Sequence, residues 1–319
     1  MSNIKSANIV ENLKKKVVRV SCPICKSCNS IYFKTVKNWH LEKCQQCKMV
    51  FVNPCPSEES LNIAYSLPQK QYDQYFQTDN INSEKILGGT EQWQRNISME
   101  YLGTIEKATD IKGKILEIGC GSGSFLEIAQ GNGWKTAGVD IGNWRKNSKR
   151  DKKLNIEHGS LFDAGFEEKS FDVIFMGSVI EHLSNPNMYL QKIYRLLKNN
   201  GIFYVIGTPN IQSLTILMGI DKWIGNHPPL HLLYFSKKTL CKIVKDNGFS
   251  NIKVRSYGIS ETILETIFNR NNSSYSGEYA GIIYKKSFAS YIIRITRKIL
   301  YDFFDITKTG SVLELMARK

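Results

Sequence analysis

The sequence predicts an α/β protein, a sheet with helices packed on it, preceded by a small cysteine-rich module. Three observations predict this. Between Lys114 and Gly142 the chain reads strand, glycine turn, helix, strand. From Asn155 to Tyr257 short apolar runs alternate with helical patterns, the signature of a sheet built from strand–helix units. Ahead of both, two Cys-x-x-Cys pairs stand at Cys22/Cys25 and Cys44/Cys47.

The stretch 114–142 organises the rest. Ile115 to Ile118 is long enough for a buried strand, and Gly119, Gly121 and Gly123 follow at alternate positions. A helix starts at Ser124 with Phe125, Leu126, Ile128 and Ala129 on one side. A second strand runs from Lys135 to Val139 and stops at Asp140. Glycines at a strand's end permit a sharp turn and close approach of a ligand, and the helix behind them aims its free amides at that ligand. Asp140 stands about 20 residues beyond Gly119, the spacing of a ribose-binding carboxylate. Glu117 lies two positions before the first glycine, where a dinucleotide's pyrophosphate would be repelled. An acid there suits a cationic ligand.

This E-I-G-C-G-S-G stretch resembles motif I of the class I S-adenosylmethionine-dependent methyltransferases. The resemblance implies a Rossmann-like seven-stranded methyltransferase sheet. It also implies a cofactor site made of Glu117, Gly119, Cys120, Gly121, Gly123, Asp140 and Ile141, with Gly177 at the end of a later strand. Many such enzymes carry an aspartate after the glycine of G-S-L-F-D to meet the adenine amine; Ser160 stands there here, so Ser160 with the Leu161 backbone, or else Asp163, takes that place.

The cysteine pairs are about 18 residues apart, within zinc-site spacing, and the expected ligands are Cys22, Cys25, Cys44 and Cys47. Each pair offers two thiolates from one turn, and two turns complete a closed tetrahedron with no open position for catalysis. Cys28, Cys55 and His40 are nearby competitors. The following K-M-V-F-V-N-P-C-P-S resembles the C-x-x-C-G-x-V-F-x-N-P-x-P-S stretch of methyltransferases with an N-terminal zinc ribbon, a group that often serves sugar and surface-polysaccharide pathways. Lys48 replaces that group's glycine.

The expected organisation is a zinc-ribbon module at 1–56, a helical cap at 57–110, and the cofactor-binding domain at 111–319 with insertions at 211–235 and 258–310. Ser57 is the expected cap of the first helix. Tyr72, Tyr75, Phe76, Trp93 and Arg95 belong to the cap, where aromatics either cover the cofactor or simply pack a helix face. Phe171 to Met176 reads as a strand, and Glu181-His182-Leu183 beyond it resembles the E-H-L segment near the transferring methyl group of small-molecule methyltransferases. The stretch 211–235 reads as a lid carrying His227 and His231. Tyr291 to Phe304 reads as an apolar, basic helix, and Val312 to Ala317 as the closing antiparallel strand.

The chain has no apolar run of the ~18 residues a spanning helix needs, and its first residues lack a secretory core, so the expected location is the cytoplasm. A formal charge of +14, dense near both ends, suits an anionic partner such as a nucleotide-linked substrate, nucleic acid or acidic lipid, or is a solvated lysine-rich surface. The resulting expectation is methyl transfer to the hydroxyl of a nucleotide-linked or polysaccharide sugar by a small-molecule or glycan enzyme, as a homodimer or alone. His182 is the first choice of general base, His231 and His227 the next, with Glu181 beside them. Carbon or nitrogen methylation of a deoxysugar, RNA methylation, and a non-catalytic cofactor-binding role remain alternatives. Against RNA bases, Gly177-Ser178-Val179-Ile180 lacks the N/D-P-P-Y/F segment that stacks a flipped base.

Overall fold

The computed structural model describes residues 16–65, 91–142, 153–218, 228–258 and 302–319. Tyr72, Tyr75, Phe76, His227 and residues 259–301 of the expected second insertion lie outside these residues, as does the side chain of Trp93.

The chain begins with β1 (Val17–Val18), β2 (Ser30–Val36), β3 (Trp39–Cys44), β4 (Val50–Val52) and β5 (Cys55–Pro56). β2 and β3 form a tight hairpin whose two loop residues, Lys37 and Asn38, both have positive φ, the conformation that matches strand twist. β1 pairs antiparallel with β5. Two of the N-terminal cations are paired, Lys16 with Glu59 and Arg19 with the buried Glu42, so part of the basic charge is locally neutralised.

Helices α1 (Glu58–Tyr65) and α2 (Glu91–Glu106) follow. The Ser57 hydroxyl accepts from the Ser60 amide at 3.3 Å, as its capping position requires. Then come β6 (Lys114–Ile118), α3 (Ser124–Gly131), β7 (Lys135–Asp140), β8 (Ile156–His158), β9 (Phe171–Gly177), α4 (Pro186–Leu196) and β10 (Leu197–Pro209). A short helix α5 (Leu214–Leu217), β11 (Leu233–Tyr234), α6 (Lys237–Asp246) and β12 (Ser250–Tyr257) come next. Residues 302–307 are helical, and β13 (Val312–Arg318) closes the described chain.

The main sheet has seven strands in the order β12-β13-β10-β9-β6-β7-β8. β10, β9, β6, β7 and β8 run parallel, and β13 inserts antiparallel between β10 and β12. Successive residues of β6, such as Ile115 and Leu116, are both fully buried because each face of the sheet is covered. Ile115, Val173, Phe175 and Tyr204 meet α2 and α3 on one face. Leu116, Ile174, Met176 and Phe203 meet α4, α6 and the cysteine-rich module on the other. At the antiparallel end, Glu314 accepts from Tyr204 and Arg255, tying three strands through one buried carboxylate.

The stretch expected as a lid carries a strand at its carboxyl end: β11 pairs antiparallel with β4, so the N-terminal module's sheet reads β11-β4-β3-β2. β4 is apolar throughout, and an edge of buried Val50, Phe51 and Val52 calls for a partner strand. Sequence distance concealed that pairing.

Candidate active site at the carboxyl edge of the sheet

Apart from His231, every expected cofactor and catalytic position in the described residues belongs to a parallel strand of the main sheet or to the loop leaving its carboxyl end. Gly119, Gly121 and Gly123 all have positive φ. A Cβ on Gly119 would stand 2.4 Å from Val179 Cγ2, so only glycine lets the loop after β6 meet the loop after β9. The Asp140 carboxylate accepts from the Gly121 amide at 2.8 Å and from the Gly142 amide at 2.7 Å. These bonds hold both sides of the loop and fix the carboxylate's direction while leaving lone pairs for hydroxyl donors. Glu117 is buried near the end of β6, and Ile141 is an exposed apolar side chain beside Asp140. Cys120 is buried, with its sulfur packed towards Gly138, so its backbone rather than its thiol faces the loop's concavity. Ser160 accepts from the Phe162 amide and Leu161 is buried; the Gly159 amide's bond to Asp140 O places this turn beside the end of β7.

Val179 leads directly into a 3-10 turn at Ile180–His182. Glu181 is 1% exposed, and burial pushes its carboxyl from the ordinary 4.5 up to about 7. The Thr208 hydroxyl, near the end of β10, donates to it at 3.1 Å. His182 Nε2 lies 4.0 Å from Glu181 Oε1. His182 Nδ1 lies 3.0 Å from Leu230 O and 3.4 Å from the Tyr65 hydroxyl. A carbonyl can only accept, so Nδ1 carries the proton and Nε2 is left as the basic nitrogen. The His231 ring meets the His182 ring edge-on at 4.8 Å. Ligand atoms of Glu181, His182 and His231 all lie within 4.8 Å of one another, close enough to share a proton or a cation.

The sulfurs of Cys22, Cys25, Cys44 and Cys47 also gather within 4.8 Å of one another. Cys22 and Cys47 approach to 3.4 Å, Cys25 and Cys44 to 3.5 Å. A tetrahedron with ~2.3 Å Zn–S bonds has edges of about 3.8 Å, so this soft four-thiol donor set fits zinc. Contact with Cys22 and burial push the Cys47 thiol up, and burial raises Cys25, a resistance to ionisation that a bound cation would relieve. Cys28 is exposed, and neither it nor Cys55 or His40 joins the cluster. Lys48 adopts φ of 66°, the left-handed conformation that favours the glycine of the resembled group.

The structure thus brings together His182, Glu181 and His231, three residues from two distant stretches. Three further contributors were not anticipated as site residues: Thr208, Tyr65 and the Leu230 carbonyl. Thr208 sits at a strand's carboxyl end, a signal that could have flagged it; Tyr65 is 117 residues from His182 in sequence, with no local cue.

Comparison with known proteins agrees with this geometry. The methyltransferase-domain family matches residues 89–254. A Mycolicibacterium smegmatis protein named as a probable S-adenosylmethionine-dependent methyltransferase is 26% identical over 137 residues, covering 42% of this chain and 51% of that protein. A ubiquinone biosynthesis O-methyltransferase of Pelagibacter ubique is 29% identical over 158 residues, covering 43% of this chain and 65% of that protein. The match therefore spans less than two thirds of either relative. Among solved structures, phosphoethanolamine N-methyltransferase 2 of Haemonchus contortus superposes with a TM-score of 0.51 at 18% identity, covering 84% of this chain and 62% of that one. A SAM-dependent methyltransferase of Archaeoglobus fulgidus gives 0.50 at 19% identity, covering 75% and 98%. With its glycine loop, its Asp140 and its seven-stranded sheet, the chain belongs to the methyltransferase-domain family and has the class I S-adenosylmethionine-dependent fold.

Proposed function

We propose that the protein is an S-adenosylmethionine-dependent methyltransferase that methylates a hydroxyl of a small molecule, with His182 as general base. The observation that carries this reading is the contact of Gly119 with Val179, which joins the cofactor loop to the turn bearing Glu181 and His182. S-adenosylmethionine, when bound, supplies an electrophilic methyl group. Asp140 would take the ribose hydroxyls, Ile141 would flank the adenine, and Glu117 would lie towards the cationic end. His182 Nε2 would remove the acceptor's proton, and Glu181 would stabilise the resulting imidazolium across 4.0 Å. The burial of Glu181 keeps water from its carboxylate, which strengthens that attraction.

The acceptor class rests on the resemblance of residues 22–76 to zinc-ribbon sugar methyltransferases and on the basic surface; a nucleotide-linked sugar is the reading they favour. The Pelagibacter ubique relative is named for O-methylation in ubiquinone biosynthesis, and that likeness favours an aromatic hydroxyl as the second reading. Incubating the protein with radiolabelled S-adenosylmethionine and panels of nucleotide sugars and catechols should transfer label to one panel. Label on neither, or on RNA alone, would sink the small-molecule hydroxyl assignment.

Asp140→Ala is expected to weaken S-adenosylhomocysteine about 10- to 100-fold, since it removes charge-assisted bonds and frees two loop amides. Titration calorimetry reads this directly; an unchanged Kd would place the ribose elsewhere.

A further inference from the structure

We propose that the four-cysteine module is a positioning device for the catalytic histidines, with metal at Cys22, Cys25, Cys44 and Cys47 holding the 228–235 segment against His182. The proposal rests on the reading of His182 and His231 given above. The alternative is an appended module that folds and binds on its own.

A continuous run of backbone bonds links the sulfurs to the imidazoles. In the second knuckle the Lys48 amide donates to Cys44 O, and the Cys44 amide donates to Met49 O. β4 starts just beyond, and the Val52 amide donates to Leu232 O at 2.9 Å. The Leu232 amide in turn donates to Glu181 O at 2.9 Å. Leu232 is thus held between the cysteine module and the catalytic turn, and the residues just before it are His231 and Leu230, whose carbonyl orients His182.

The first knuckle is attached as well. Asn187, in the first turn of α4, donates from Nδ2 to Pro23 O at 2.7 Å, and Asn247 donates to Asn187 Oδ1. Cys22, Cys44, Cys47, Phe51, Leu232 and the sheet's Leu116 share one apolar core, so the module has no separate interior.

Energetics make the link directional. β11 has two residues, lies at the edge of its sheet and takes its strand pairing from β4, while the chain on either side is anchored only by single contacts, Leu232 to Glu181 and Phe235 to the Asn210–Ile211 stretch. β4 in turn belongs to a module of about 40 residues, too small to fold firmly without a cross-link or metal. The parallel strands that carry the glycine loop and Asp140 share one face with the module, but they are also held by their own ladders and, on the other face, by a core with α2 and α3 that the module does not enter. Metal loss should therefore loosen 228–235 first.

The test uses the full chain purified with zinc, its metal content measured by emission spectroscopy, then stripped by a chelator and reloaded with zinc. Amide exchange by mass spectrometry and the imidazole nitrogen signals of His182 are read in each state. On stripping, the expected result is at least tenfold faster exchange at 228–235, retained protection at 114–118 and 135–140, and S-adenosylhomocysteine affinity within threefold. The Nδ1-protonated signature of His182 should give way to mixed tautomers, and zinc should restore it. Val52→Pro keeps all four sulfurs and removes the amide that donates to Leu232, so it should retain zinc and still speed exchange at 228–235. Absence of bound zinc, unchanged exchange at 228–235, or a loss of protection spread equally over the sheet would each overturn the proposal. Failure of the zinc-loaded protein to bind S-adenosylhomocysteine would instead strike the proposed function and leave the exchange result readable.

Discussion

His182→Ala is expected to lower methyl transfer by about 10²- to 10⁴-fold, the usual contribution of a positioned base. S-adenosylhomocysteine affinity should stay within threefold, because His182 lies beyond Val179 and outside the glycine loop. The split follows from the geometry. His182 Nδ1 faces Leu230 O, and Nε2 lies 4.0 Å from Glu181 Oε1, so in the proposed reading Nε2 takes the proton beside a carboxylate. His231, edge-on to that ring, should cost less when removed. Single-turnover label transfer on both alanine variants checks the order. If His231→Ala is the inactive variant and His182→Ala retains a tenth or more of the rate, the base has been misassigned.

Glu181→Gln is expected to stabilise the protein by up to about 3 kcal/mol above pH 7, the free energy carried by a carboxyl whose pKa moves from 4.5 to about 7. The direction is opposite to that of a salt-bridged acid. Between pH 4.5 and 7 the folded chain holds a proton at Glu181 that the unfolded chain has released. Stability is therefore full below 4.5, falls as pH rises to 7, and levels off beyond. Glutamine keeps an oxygen for Thr208 and has no proton to lose, so the variant should lack this fall. His182 and His231 face the same carboxylate, and when charged they would favour its ionised form and reduce the difference; Tyr65 reaches the cluster only through His182. Urea unfolding at pH 4.5, 6 and 8 reads the profile. Parallel curves for the two proteins would show that Glu181 is not a buried acid in solution.

Much of the fold was legible because its cues are local. An apolar run ending in spaced glycines commits the backbone to a strand and a turn, and the positive φ of Gly119, Gly121 and Gly123 meets that expectation. The start of α6 is also set locally: Ser236 caps it and Thr239 completes a reciprocal capping box. Strand ends were less legible. Residue order alone reads Asn199-Asn200-Gly201 as a turn before a strand from Gly201 to Ile206, yet β10 begins at Leu197, because its first residue pairs with Phe171 across a register shift that only the neighbouring strand reveals.

The candidate site divides the same way. The cysteine pairs, the glycine loop, Asp140 and the Glu181-His182 pair are short-range patterns, each set by a turn or a strand end, so residue order alone was sufficient to point to them as candidates. The fold alone decided what His182 faces. Its Nδ1 partner comes from the 228–235 segment, its neighbouring hydroxyl from α1, and the partner of Glu181 from the end of β10. These groups are far apart in the chain, and their meeting depends on β11 joining β4 and on the turn after β9 being buried beneath that segment. Such contacts arise from the packing of a whole sheet and module against one another, which no local stretch of sequence encodes.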